Sequence, residues 1–519
     1  MHIALVLHAH LPYVRHPEHG RSIEEAWLFD AMWGAYLPLL RVLGDAPRHP
    51  DRGDAPLVTL SLSPTLLEML ADRGLRRRFV EHVEGLARLA SRVDPAWAPR
   101  FREALEAYER FDRDLTRAFV KLGDERRVEL ITTSATHAFL PALKTSAALR
   151  AQLRLGLRAF EAHTRAAPAG LWLPECGFDP RFDADLACAG ARYTVLDAHG
   201  LAFGAPRPPF GVYRPVLSPS GVAYFGRELE ASAAVWSRTR GYPGDPVYRE
   251  FHRDVGHEAE PALLEEWTLP GGARRSTGLK IHAISGDRYD AARAADRARA
   301  HAADFVASCG DRLGRAARAS VDKPVIVAPF DAELFGHWWY EGPTFLAEVL
   351  RLLARPTSSV RASSLGAILD EADPLAISTP APSTWGEGGF AQTWLGPTSK
   401  PASMLRHVHR AEARLLEADA IVRDTLASLK RRRSRIQAIR ELALLEASDW
   451  AFMLHVGRNA EYGERRVRLH AGRVERLAHL TTTEEWSPED EAWLREVEQS
   501  SPLFSVLDED AFANVFDPW

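Results

Sequence analysis

The chain has 519 residues, 46% of them hydrophobic and 26% charged, with a formal net charge of −5. Such values suit a soluble globular protein with a large core and more than one domain. The mixed charge gives no basic footprint for nucleic acid, and no apolar run is long enough to span a bilayer. Three cysteines, Cys176, Cys188 and Cys309, argue against a disulfide framework and fit a reducing compartment. The N-terminus enters a strand with no basic n-region or cleavage site, so a cytoplasmic protein is expected.

The first apolar run, "HIALVLH" (2–8), leads into "HAHLPYV" (8–14). Alternate residues of a strand share a face, so His8 and His10 reach into one space, with His10 expected as the inner of the two. Further buried strands are predicted at "LVTLSLS" (57–63), "VELITTS" (128–134), "GLWLPE" (170–175), "RYTVLD" (192–197), "GLKIHAI" (278–284) and "PVIVAPFD" (324–331). Helical stretches such as "EALEAYERFDRDLTRAFVKL" (103–122) lie between them. Strands alternating with helices imply a parallel sheet, and seven of them imply a distorted (β/α)7 barrel whose site lies at the C-terminal strand ends. An insertion is expected within about 176–270. Its Pro- and Gly-rich part contains "GVYRPV…GVAYF", which can pair as a hairpin. The barrel domain is read as 1–383. Residues 384–519, with long amphipathic segments from about 402, are read as an all-helical C-terminal domain.

The polar residues gather at strand ends: His8 and His10, Thr136 and His137, Glu175, Asp197 and His199, His282, and Asp331. Glu175 in "GLWLPECGFDP" and Asp331 in "VAPFDAELFGHWWYEG" form a carboxylate pair. Glycoside cleavage needs such a pair, one group to attack the anomeric carbon and one to protonate the leaving oxygen. Either alone could simply pair with one of the many arginines. Of Trp338 and Trp339, one is expected in the core and one at the site.

Five blocks in order, "HAHLPY" (8–13), "TTSATH" (132–137), "WLPECG" (172–177), "APFDAELFGHWWYEG" (328–342) and "STWGEGG" (383–389), together with "LLEASDW" (444–450), resemble glycoside hydrolase family 57. Within that family they are most similar to the α-1,4-glucan branching enzymes. The resemblance implies Glu175 as nucleophile, Asp331 as general acid/base, and an α-glucan as partner. It implies His8, His10 and His137 around the donor sugar, with His337 beside them. Trp27, Trp236, Trp385 and Trp394 would surround the glucan, and Asp449 from the helical region would close the pocket. Phe210 in "RPPFGVY" falls where relatives carry a loop-tip tyrosine over the cleft. No metal or organic cofactor is implied, and the oligomeric state is expected to be a monomer or small homo-oligomer.

Within the family an α-amylase or a 4-α-glucanotransferase would use the same carboxylates. From a different class, a metal-dependent amidohydrolase would recruit His8, His10, His137 or His282, and Asp331 as zinc ligands. A glucan-binding protein without catalysis is a third reading.

Overall fold

The structure, a computed structural model, describes residues 1–19, 22–268, 272–372, 374–396, 400–422 and 427–519. The strand β1 (His2–Ala9) is buried along its whole length. Each fully buried Ile, Leu or Val contributes about 1.5–3 kcal/mol. Along one edge β1 pairs in parallel with β7 (Val325–Asp331). Along the other it pairs with β2 (Val58–Leu62) and, at its first residues, with β8 (Arg361–Ala362). The strand β2 continues to β3 (Val128–Ile131).

A second sheet holds β4 (Tyr193–Leu196) and β6 (Ala223–Gly226) in parallel, with β5 (Val216–Leu217) antiparallel to β6. Two links join the sheets into a ring. Leu171 bridges to Thr132 after β3, and its N–H donates to Tyr193 of β4. Arg227 after β6 bridges to Val327 of β7. The ring thus has seven positions, β1, β2, β3, residues 171–172, β4, β6 and β7.

Two predicted strands differ. Residues 170–175 hold only a single bridge, because the chain turns at Pro174, which has no N–H to continue a ladder. Residues 278–284 form no strand. The Asp254 carboxylate accepts from the Thr277 N–H, the Gly278 N–H and the Thr277 hydroxyl, taking donors that a sheet would otherwise use. The sixth position belongs to β6, one arm of the predicted hairpin, so part of the expected insertion is the barrel wall itself.

Helices cover the ring. The helix α1 (Ile23–Ala31) starts on Ser22, whose hydroxyl accepts from the N–H groups of Glu24 and Glu25. It runs into a π-helical turn at Met32–Tyr36. The helix α2 (Leu229–Trp236) is capped by the Glu228 carboxylate. Beyond residue 400 the chain is helical: α3 (Lys400–Val422), α4 (Leu429–Leu445), α5 (Ser448–Val456) and α6 (Ala460–Thr482). These helices share a core with the barrel, in which Trp450 and Leu445 are buried with Tyr13 and Phe139. Among the described residues no helix is long and apolar enough to cross a membrane.

Candidate active site

Register builds the floor of the site. His8 on β1 lies level with Ser61 on β2 and Asp331 on β7, so the three side chains share a face at the strands' C-terminal ends. His8 bonds Ser61 Oγ through Nδ1 (3.0 Å) and His137 Nε2 through Nε2 (2.9 Å). The rings of His8, His10 and His137 cluster in a triangle, with centroids 5.8, 4.9 and 3.9 Å apart, and Trp172 stacks on His8 at 5.0 Å. The deeper histidine is His8, not His10: its two nitrogens have buried partners, while His10 reaches Ser63 Oγ (3.0 Å) and Asp449 Oδ2 (3.2 Å). Burial holds His8 and His137 well below the ordinary imidazole range, with the neighbouring histidines adding to it. Both are therefore neutral at pH 7.

Glu175 sits on a one-turn helix, Pro174–Cys176, in the left-handed region at φ 60°. A non-glycine residue held there is strained, and surrounding contacts must over-determine it. Its Oε2 accepts from the Trp385 indole N–H (2.9 Å) and its Oε1 from the Ser448 hydroxyl (2.9 Å). The Trp385 N–H also donates to the Glu175 carbonyl (3.0 Å). Burial raises the carboxyl, these two side-chain bonds offset part of that, and the Asp449 charge adds to the rise.

Asp331 ends β7. Burial raises it well above the ordinary carboxyl range, followed by the charges of Glu333 and Glu175, while Arg227 opposes. The two carboxyls thus stand in different environments: Glu175 is held by two donors, while Asp331 faces two further carboxylates that favour its protonated form.

Sequence reasoning missed Glu333. Its buried Oε1 accepts from the His10 N–H (3.2 Å) and from the Tyr36 hydroxyl. Burial pushes this carboxyl up to about 7. The turn after it lies on the π-helical turn so closely that a Cβ at Gly336, φ 118°, would fall 1.9 Å from Gly34 O. Ser448 and Arg227 were missed as well. Arg227 donates to Asp197 Oδ2 (3.0 Å) and lies 5.8 Å from the Trp385 ring. The signal for Glu333 was its place two residues after Asp331; Ser448 offered only that of a helix start.

The other expected residues divide. Trp236 and Trp338, 40% and 39% exposed, stand edge to face at 6.4 Å, and Trp236 lies 5.9 Å from Trp385. Together they make an aromatic row leading outward from Glu175. Trp339 is the core member of its pair. Trp394 is also buried, stacked on Phe139 at 4.8 Å. Trp27 is half-buried, edge to face with Tyr462 of α6. His337 touches Phe251, and burial lowers it to about 4.

Phe210 is not brought to the mouth. It lines a shallow hollow with Asp322 and Pro374, and Arg214 beside it donates to Asp322 O. Asp322 precedes β7, so this hollow lies at the strand's N-terminal end, opposite Asp331. Of the amidohydrolase set, His8, His10 and His137 stand together, and His282 is drawn away. His282 pairs with Glu258 (3.2 Å). Among the described residues, the group whose ligand atoms all lie within 4.8 Å of one another is His10, His137 and Asp449. Their nitrogens are engaged with Ser63, Ser448, His8 and Asp449 itself.

A barrel mouth with two half-buried carboxyls, a histidine cluster and an aromatic row can be compared with known proteins. The family model described as glycosyl hydrolase family 57 matches residues 4–359. The chain belongs to glycosyl hydrolase family 57. A second model, described as the C-terminal region of 1,4-alpha-glucan branching enzyme, matches residues 407–512. The chain is 32% identical to a 1,4-alpha-glucan branching enzyme of Thermococcus kodakarensis, across 92% of this chain and 73% of that one. Among solved structures, the family 57 branching enzyme of Pyrococcus horikoshii is similar at TM-score 0.83 and 29% identity, covering 98% and 96% of the two chains. The alpha-amylase AmyC of Thermotoga maritima is similar at TM-score 0.88 and 32% identity, covering 99% of each.

Proposed function

We propose that this family 57 chain is a retaining 1,4-α-glucan branching enzyme, with Glu175 as nucleophile and Asp331 as general acid/base. Glu175 attacks the anomeric carbon of an α-1,4-linked glucose and forms a β-linked glycosyl-enzyme. Asp331 gives its proton to the departing O4, then takes one from the O6 of an acceptor chain as O6 attacks the same carbon. Two inversions leave net retention and an α-1,6 branch. The double displacement is complete with these two carboxyls and calls on no metal or organic cofactor.

The observation that supports branching best is where the helical region enters. The stretch that matches the branching-enzyme C-terminal model supplies Ser448 to Glu175 and Asp449 to His10. In this reading His10 and His137 bond sugar hydroxyls around the donor. Trp385, Trp236 and Trp338 offer ring faces to successive glucose units, and Asp449 closes the pocket. The reading carries with it a storage glucan such as glycogen and a cytoplasmic location, which three free thiols favour.

A second reading is an α-amylase of the same family. The likeness to AmyC favours it, and so does the placing of the Phe210 segment away from the mouth, since water exclusion favours transfer over hydrolysis. Product analysis on amylose separates the two. New α-1,6 linkages in excess of new reducing ends support branching, and reducing ends without α-1,6 linkages support the amylase.

A further inference from the structure

The loop that carries Trp385 has a second aromatic end. Its N-terminal part is fixed inward, with Trp385 bonded to Glu175 through both its backbone and its ring. The loop then doubles back over Gly388 and Gly389, φ 75° and 77°, and closes where the Thr384 N–H donates to Gly389 O (3.0 Å). The same carbonyl is bonded by His199 Nε2 (2.8 Å), whose ring a Cβ at Gly389 would meet at 2.8 Å. This contact delivers Phe390 to the outer surface at 5.0 Å from the His199 ring. Phe203 stands 6.5 Å from the same ring, edge to face with it.

Phe203 and Phe390 are 66% and 61% exposed. Two phenylalanines held this open beside one imidazole are an apolar patch that water penalises. The support beneath is rigid. His199 Nδ1 lies 3.2 Å from Asp197 Oδ1, and Asp197 accepts from Arg227, which faces Trp385. Asp197 directly follows β4, so the patch lies on the same rim as the carboxylates.

We infer that Phe203, His199 and Phe390 form an outlying platform for an α-glucan chain, holding the arm of the polymer that runs beyond the sugar at Trp385. The inference rests on the glucan reading of the site. It commits to that occupant because one short closed loop joins the platform to Trp385, on the rim that carries Glu175 and Asp331. Apolar ring faces with a polar ring between them match the alternating C–H faces and hydroxyls of glucose.

The test is the double variant Phe203→Ser, Phe390→Ser, which removes no core packing. The readout is kcat/KM on long-chain amylose divided by kcat/KM on an aryl maltotrioside, with retardation of the protein in gels containing amylose. The expected ratio falls about two- to tenfold, through KM on amylose, and gel retardation weakens. An unchanged ratio together with unchanged retardation overturns the platform. So does equal loss on both substrates. If the unaltered protein sediments as a dimer and the double variant as a monomer, the patch is a subunit contact and the proposal falls. If the unaltered protein has no activity on either glucan, the glucan-cleavage reading fails, and the gel measurement still decides whether the patch binds glucan.

Discussion

Ser448 Oγ donates to Glu175 Oε1 across 2.9 Å, although 273 residues separate them in sequence. The same hydroxyl lies 2.9 Å from His137 Nδ1, and the Ser448 N–H donates to His137 O (3.0 Å). The helical region thus enters the site: its first turn after Ala447 bonds one carboxylate and one imidazole of the barrel.

Ser448→Ala removes the hydroxyl and leaves the fold of α5 intact. A hydrogen bond to a charged group is worth about 1.5–3 kcal/mol, so kcat should fall roughly tenfold or more. The direction in pH is also fixed. The Ser448 bond lowers the Glu175 carboxyl against the effect of burial. Without it Glu175 ionises at higher pH, and the acidic limb of kcat/KM should move to higher pH. Rate profiles of the two proteins on an activated aryl donor measure this. An acidic limb that stays in place would remove Ser448 from any part in setting the nucleophile.

Replacement of the carboxyls should separate their roles. Glu175→Gln should abolish the covalent intermediate on every donor. Asp331→Asn should cost about 10²- to 10⁴-fold on amylose and much less for glycosylation by an aryl donor whose leaving group needs no proton. Mass spectrometry of the trapped glycosyl-enzyme and burst kinetics distinguish the two. The carboxyl groups should stand about 5–5.5 Å apart in a crystal structure with bound glucan, the spacing of retaining enzymes.

Glu333 supplies a pH prediction of its own. Asp331 faces Glu333, Glu175, Asp449 and Arg227, and after burial the Glu333 charge is the largest influence keeping its proton on. Glu333→Gln keeps an acceptor for Tyr36 and for the His10 N–H but removes that charge. Asp331 should then lose its proton more readily, and the alkaline limb of kcat/KM should shift to lower pH. Tyr36→Phe, which removes a donor to Glu333, serves as the companion variant. A limb unmoved in Glu333→Gln would show that Glu333 holds the backbone and does not tune the acid.

Much of this site was legible because a strand's register is legible. His8, Asp331 and Ser61 end three apolar runs, and parallel pairing sets such ends side by side. The paired carboxyls followed from the same pattern. The reach of α5 into the mouth was only half legible: Asp449 was expected there, and Ser448 beside it carries no signal beyond that of a helix start. "GLKIHAI" misled because its alternation is that of a strand, whereas its N–H groups are dispersed: Gly278 donates to Asp254, Leu279 to the Thr277 hydroxyl, Ala283 to Asp287 O and Ile284 to Tyr248 O. Trp394 was expected against substrate and is core, since indole size serves both places equally.

A stability prediction concerns the seam between barrel and helices. Glu446 is buried, its Oε2 accepts from Gln152 Nε2 (2.7 Å), and burial followed by the Glu412 charge raises it well above its ordinary 4.5. An acid raised in the folded state contributes stability below its unfolded value and loses it as pH rises toward the folded one. Glu446→Gln keeps the acceptor for Gln152 and removes the titration. The variant should gain on the unaltered protein as pH rises above the ordinary carboxyl range. Urea unfolding within and above that range reads it, and parallel losses in both proteins would reject it.

The last prediction separates the two ends of the barrel. Val212 packs against Gly226, and Arg214 binds the carbonyl of Asp322, so the segment around Phe210 is tied down toward the N-terminal end of β7. It cannot cover a glycosyl-enzyme on Glu175. Phe210→Ala and Phe210→Tyr should therefore leave the ratio of α-1,6 linkages to new reducing ends on amylose unchanged. In the proposed reading Trp236 and Trp338 line the path of an acceptor chain, linked by ring contacts to Trp385 and so to Glu175. Losing one ring face costs about 0.5–1.5 kcal/mol of acceptor binding, a two- to tenfold effect, while water needs no such surface. Trp236→Ala and Trp338→Ala should each shift the products toward hydrolysis by that factor. Should Phe210→Ala change the ratio and the tryptophan variants leave it alone, acceptor selection would have to lie with the Phe210 segment, and the aromatic row would serve the donor chain instead.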